Sequence, residues 1–218
     1  MRKPCVLLLL FGVALGCVGQ TGPFGFQKGM TRSEIVALVG PKAVDPRVKG
    51  EAMRLNKAPE PNAAFQEYLL AISPTDGLVR VVALGKLIST GDDGRELRAA
   101  YADLVSDLTE KFGPPATNTD ECDRGGALCR PDFWMAALFG KQRRLETTWF
   151  QEVPTQAMRQ AGVHMITVTA QPASISSGYI TCDFQLEGFD KYSGKKKPQA
   201  APTPQPPTPA QPKPGSGN

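Results

Sequence analysis

Hydrophobic positions fall into a helical period at two places in this chain, and each time the helical stretch gives way to short runs of strand character. The first helix is announced by Thr31-Arg32-Ser33-Glu34, a capping box in which the threonine hydroxyl and the glutamate carboxylate each satisfy a free amide at the helix start. Met30, just before the cap, is placed to staple onto Ile35. Ile35, Leu38 and Val39 then form one apolar face, and Gly40-Pro41 ends the helix. The second helix follows the same grammar: Asp93 is the expected cap, Glu96 sits three residues on, and Leu97, Tyr101, Leu104, Leu108 and Phe112 make one stripe before Gly113-Pro114-Pro115.

Strands are expected after each helix. The first set is Ala52 to Leu55, Phe65 to Ser73 and Leu78 to Leu84, with Pro74-Thr75-Asp76-Gly77 as a turn. The second set is Phe133 to Phe139, Arg144 to Phe150, Val163 to Ala170 and Tyr179 to Leu186. In the last, Ile180, Cys182, Phe184 and Leu186 alternate strictly with Tyr179, Thr181, Asp183 and Gln185, so one face packs on a helix and the other meets solvent. The pattern predicts an α+β fold of tandem helix-plus-antiparallel-sheet units, two lobes at about 24–90 and 91–190 within a domain over 20–190.

The segment before this domain has a different character. Arg2 and Lys3 precede an apolar run from Val6 to Val18, which exits through the small residues Gly12, Ala14, Gly16 and Gly19. That order is a secretion signal over residues 1–19, and the run of 13 residues falls short of the ~20 that a bilayer-spanning helix needs. Ala14-Leu15-Gly16-Cys17 resembles a bacterial lipobox, with Ala14 where the usual leucine stands. The resemblance implies cleavage after residue 16 and lipidation of Cys17, and Val18 in place of aspartate then implies the outer membrane. Ordinary signal-peptidase cleavage is the alternative, giving a soluble periplasmic or secreted protein.

Charge narrows the partners. Arg2 and Lys3 leave with the signal and Lys191, Lys195, Lys196, Lys197 and Lys213 belong to the tail, so the domain carries 18 basic against 21 acidic residues. Such a domain is a poor nucleic-acid binder. The tail over 191–218 ends in 21 residues with eight prolines, a composition expected to stay disordered and extended. Of the mature cysteines, Cys122 and Cys129 are expected to close a disulfide loop through Gly125 and Gly126, and Cys182 to be a buried thiol or a bridge to a partner.

Phe24-Gly25-Phe26-Gln27-Lys28-Gly29-Met30-Thr31, continuing through Glu34 and Leu38 to Gly40-Pro41, resembles the opening of the SmpA/OmlA (BamE-like) family of small outer-membrane lipoproteins. Gly29, Met30, Thr31, Glu34, Leu38 and Gly40 fit its Gly-Met-Thr-x-x-Glu motif and glycine exit. The likeness covers residues 24–41 and implies a lipidated envelope protein. The doubled helix-and-sheet pattern is also similar in architecture to the tandem-repeat protein inhibitors of β-lactamase.

No residues form a catalytic set, and no cofactor or metal is expected. His164 lies at a strand start beside Gly162 without a nucleophile elbow, and Gly91-Asp92-Asp93-Gly94 lacks the alternating oxygens of a calcium loop. Trp134, Trp149 and Phe150 are candidates for a protein-binding surface. These features favour a non-catalytic cell-envelope protein that binds another envelope protein or peptidoglycan. The alternatives are an inhibitor of a secreted enzyme, which calls for an aromatic-lined sheet face, and a hydrolase built on Glu146 or Glu152.

Overall fold

The structure, a computed structural model, describes residues 22–123, 128–150 and 154–194. The signal segment, Cys17, Gly125, Gly126, Glu152 and the tail from residue 195 lie outside the described residues. The elements in chain order are α1 (Arg32–Val39), β1 (Ala52–Leu55), β2 (Phe65–Ser73), β3 (Gly77–Gly85), β4 (Ile88–Ser89), α2 (Arg95–Phe112), β5 (Thr117–Cys122), α3 (Trp134–Phe139), β6 (Arg143–Phe150), α4 (Gln156–Gln160), β7 (Val163–Ser174), β8 (Ser177–Leu186) and α5 (Phe189–Tyr192). The fold is α+β, and a helix followed by a run of strands occurs twice.

The two runs share one sheet. Its eight strands are antiparallel, in the order β1-β2-β3-β8-β7-β6-β5, with β4 paired to the start of β8. The join is β3 against β8, where Val81 faces Phe184 and Ala83 faces Cys182. A single row of apolar side chains therefore crosses from one unit into the other: Met53, Leu70, Val81, Phe184, Ile166 and Trp149 are successive partners over six strands. All six are buried in one continuous core that draws on both units.

Helices cover this side. The stripe Leu97, Tyr101, Leu104, Leu108 and Phe112 on α2 packs on β7 and β8, and α3 and α4 cover β6 and β7. The Tyr101 hydroxyl donates to Thr147 Oγ1 at 2.8 Å, and Thr147 donates on to Asn118 Oδ1 at 3.1 Å, which ties α2 to β6 and β5. The Trp149 Nε1–H donates to the Gly113 carbonyl at 2.9 Å, satisfying a carbonyl freed at the end of α2. Two glycines permit close approaches: a Cβ on Gly77 would lie 2.0 Å from the Gly29 carbonyl oxygen, and one on Gly94 would lie 2.3 Å from the Trp134 ring. Both also have positive φ.

Several expectations change here. The Thr31 capping box forms, but Leu38 is 48 % exposed and only Ile35 of the α1 face is fully buried, because an eight-residue helix at the margin of the sheet turns one narrow side inward. Asp93 does not cap α2. Gly94 is the N-cap, in a left-handed conformation, while the Asp93 carboxylate accepts from the Arg95 amide and Glu96 reaches back to the Gly91 amide at 3.2 Å. Phe133 to Phe139 is not a strand: Pro131–Phe133 is a 3-10 turn and Trp134–Phe139 is helix, with four of its six residues buried. The strand β5 was not expected, and neither were the short helices α4 and α5.

Candidate functional site

The side of the sheet away from α2, α3 and α4 is a continuous surface that these helices leave unpacked among the described residues. Its geometry follows from strand alternation, since the residues between the core positions must point the other way. One row runs Arg54, Leu69, Val82, Asp183, Thr167, Thr148 and Thr117 over seven strands. The next runs Glu67, Leu84, Thr181, Thr169, Glu146 and Thr119. The third runs Ala52, Ala71, Arg80, Gln185, Met165 and Phe150. The β2–β3 half is thus aliphatic, with Leu69 38 % exposed, and the β5–β8 half is rich in threonine.

Charge on this face is neutralised within the face. Arg80 forks onto Asp183 through Nε and Nη2 at 2.8 and 2.6 Å, and its guanidinium carbon lies 5.3 Å from the centre of the Phe189 ring. The bound Asp183 carboxylate raises the Arg80 pKa further above its already high value. Arg54 donates to Glu67 Oε2 at 2.6 Å. Arg144 stands between two acids, 3.6 Å from Glu146 and 4.0 Å from Glu121. Exposed pairs of this kind add little stability. Their consequence is that the face presents apolar and hydroxyl groups with no unpaired carboxylate among these acids. At one end α5 packs against β3, and Lys191 comes within 3.6 Å of Asp76.

The candidate residues read from the sequence are dispersed. Trp134 is 2 % exposed and Trp149 is 0 % exposed, so neither lies on a surface: both fill the core on the helical side, and Gly94 is kept bare by the Trp134 ring. Phe150, the third candidate, points to the open face, half-buried, with its ring edge-on to His164 at 5.4 Å. His164 Nε2 is 3.6 Å from Asp190, and among the described residues no serine, threonine or cysteine hydrogen-bonds to it. Glu146 is paired with Arg144. Residues 91–94 form the turn into α2, and among the described residues no group of three or more histidine, cysteine or acidic side chains is placed to hold a metal ion.

The three cysteines of the domain divide into a bridged pair and a free thiol. Cys122 and Cys129 are joined in a disulfide with Cα atoms 5.7 Å apart, closing the end of β5 onto the segment before α3. Cys182 is a free, buried thiol whose pKa burial pushes well above its usual value, which leaves it protonated and unreactive at neutral pH. Sequence reasoning missed Leu69, Val82 and Leu84 as surface groups, because a valine or leucine in a strand reads as core until the neighbouring strands are known. Among the described residues no helix is long and apolar enough to cross a membrane. Comparison of the chain with family models, with characterised proteins and with solved structures finds no match.

Proposed function

We propose that the mature chain is a non-catalytic protein of the bacterial cell envelope, tethered to the outer membrane through a lipidated Cys17, and that it binds another envelope protein through the uncovered face of its sheet. The observation that carries this reading is the aliphatic half of that face. Leu69, Val82 and Leu84 stand outward between Arg54–Glu67 and Arg80–Asp183, whose charges are already matched. Burying such a surface costs little desolvation of unpaired charge and removes apolar area from water, which is how protein interfaces gain their free energy.

The tether fits the short approach to the domain. From Cys17 to Gly22 the chain can span at most ~18 Å even when fully extended, so a lipid on Cys17 holds the domain close to the bilayer. Phe24 then anchors the entry: its ring packs edge-on against Phe65, Tyr68 and Phe184 with centroids 5.0 to 5.5 Å apart, despite a backbone φ of 57°. An inhibitor of a secreted enzyme draws less support, since Phe150 and Tyr179 are the aromatic groups among the strand residues pointing to this face. The disulfide is compatible with export.

Two measurements test the reading. Affinity-tagged mature chain recovered from crosslinked envelopes is expected to carry one protein partner in stoichiometric amount, and Val82→Arg is expected to lose it while melting as a folded protein. Retention of the same partner by Val82→Arg overturns the assignment to this face. Mass spectrometry of the mature N-terminus is expected to show a diacylglyceryl group on Cys17. A free Gln20 terminus makes the protein soluble.

A further inference from the structure

Among the described residues the sheet ends at β5, which pairs there only with β6, so alternate residues of β5 send their N–H and C=O groups outward with no described strand to receive them. On the helical side of this edge a groove of about 560 Å³ separates β5 from α2. Ala99, Ala102 and Val105 of α2 and Leu145 of β6 give it apolar walls, and the small alanine side chains keep it open. Asp120 within it is paired to Arg143. Arg98 at its rim is different: its guanidinium lies over the Trp134 ring at 5.7 Å and no carboxylate among the described residues pairs with it.

We propose that this edge and groove bind an extended peptide segment of a partner protein, which adds to β5 as a further strand, sets alternate apolar side chains between α2 and β5, and offers a carboxylate to Arg98. The backbone edge supplies affinity, the groove supplies side-chain selection, and the unpaired arginine supplies the charge preference. Two other occupants suit the site less well. The chain's own tail has eight prolines, which lack the N–H a strand must donate, and no acidic residue. A second copy pairing through β5 would bring Asn118 and Asp120, rather than apolar side chains, to the groove side. The site is on the opposite side of the sheet from the face containing Val82, and it does not depend on the function proposed for that face.

The test uses the full mature chain and a phage-displayed random decapeptide library, with selected peptides resynthesised and their affinity measured by fluorescence anisotropy. The expected peptides alternate apolar residues and carry an aspartate or glutamate. Methylating one alternate set of peptide amides should weaken binding at least tenfold while the other set has little effect. Ala102→Trp and Ala99→Trp, both at exposed positions, should each fill the groove and weaken binding at least tenfold, Arg98→Ala should remove the acidic preference, and Val82→Arg should change nothing. The proposal is overturned if no peptide is recovered that Ala102→Trp or Ala99→Trp releases, if neither amide set matters, or if Val82→Arg abolishes binding. A concentration-dependent dimer that Ala102→Trp dissociates would assign the edge to self-association instead and overturn it equally.

Discussion

If the core row that runs through β3 and β8 joins the two units energetically, damage in the first unit must be felt in the second. Leu70→Ala provides the perturbation. Leu70 is 3 % exposed and sits between Met53 and Val81 in the row that continues through Phe184 and Ile166 to Trp149. Trp149 is four strands away, on the order of 19 Å at the usual strand spacing. Removing three buried carbons from a packed leucine costs about 3 kcal/mol, within the usual range for such cavities. For a domain of this size that corresponds to a fall in Tm of ~6–12 °C. Both tryptophans, Trp134 and Trp149, belong to the second unit, so their fluorescence reports on that unit while far-UV circular dichroism reports on both. The two signals are expected to give one coincident transition, shifted by the same amount in Leu70→Ala. A fluorescence midpoint that stays at the wild-type temperature while the dichroism splits into two steps would refute a shared core.

Three further outcomes follow from particular contacts. Cys122→Ser with Cys129→Ser opens a loop of sequence separation seven and is expected to cost about 2.5 kcal/mol by loop-closure entropy, read as a lowered Tm that added reductant no longer changes; an unchanged Tm would mean the bridge is not formed in the native protein. Thr31→Ala removes the cap of α1 and the acceptor for the Glu34 amide, and should cost ~1 kcal/mol in urea unfolding, whereas Thr31→Ser should restore most of it. At high pH, burial pushes Tyr101 up to about 12, above its unfolded value of 10.0, so the folded state keeps a proton that the unfolded state releases. Its contribution is complete below pH 10 and is lost between pH 10 and about 12, a slope worth roughly 2–3 kcal/mol that Tyr101→Phe should flatten. A slope of the same size in that variant would place its origin elsewhere.

The elements that the chain advertises are those whose residues satisfy local rules. Thr31 and Glu34 cap α1 by their spacing, Leu97 to Phe112 mark α2 by period, and Ile180 to Leu186 mark β8 by alternation. β5 was illegible because Thr117-Asn-Thr-Asp-Glu-Cys122 is polar on both sides, as an edge strand without a helix pressed on it can be. The run Phe133 to Phe139 misled for the opposite reason: a short stretch that is apolar throughout has no period, and here it is a helix sunk in the core. Trp134 and Trp149 were read as surface candidates because adjacent aromatic pairs leave the inward member unspecified. The site itself depends on which strands are neighbours. Val82 meets Asp183 across a join of residues about a hundred positions apart, and no local pattern in either strand announces that meeting.

A photocrosslinking amino acid placed at Val82, with a second copy of the experiment at Glu110 on the exposed side of α2, tests the protein-binding face in the native envelope most directly. Protein binding at this face predicts one discrete protein adduct from Val82 under irradiation and none of the same mass from Glu110. Adducts only to lipid or glycan at Val82, or an identical protein adduct from both positions, would contradict it.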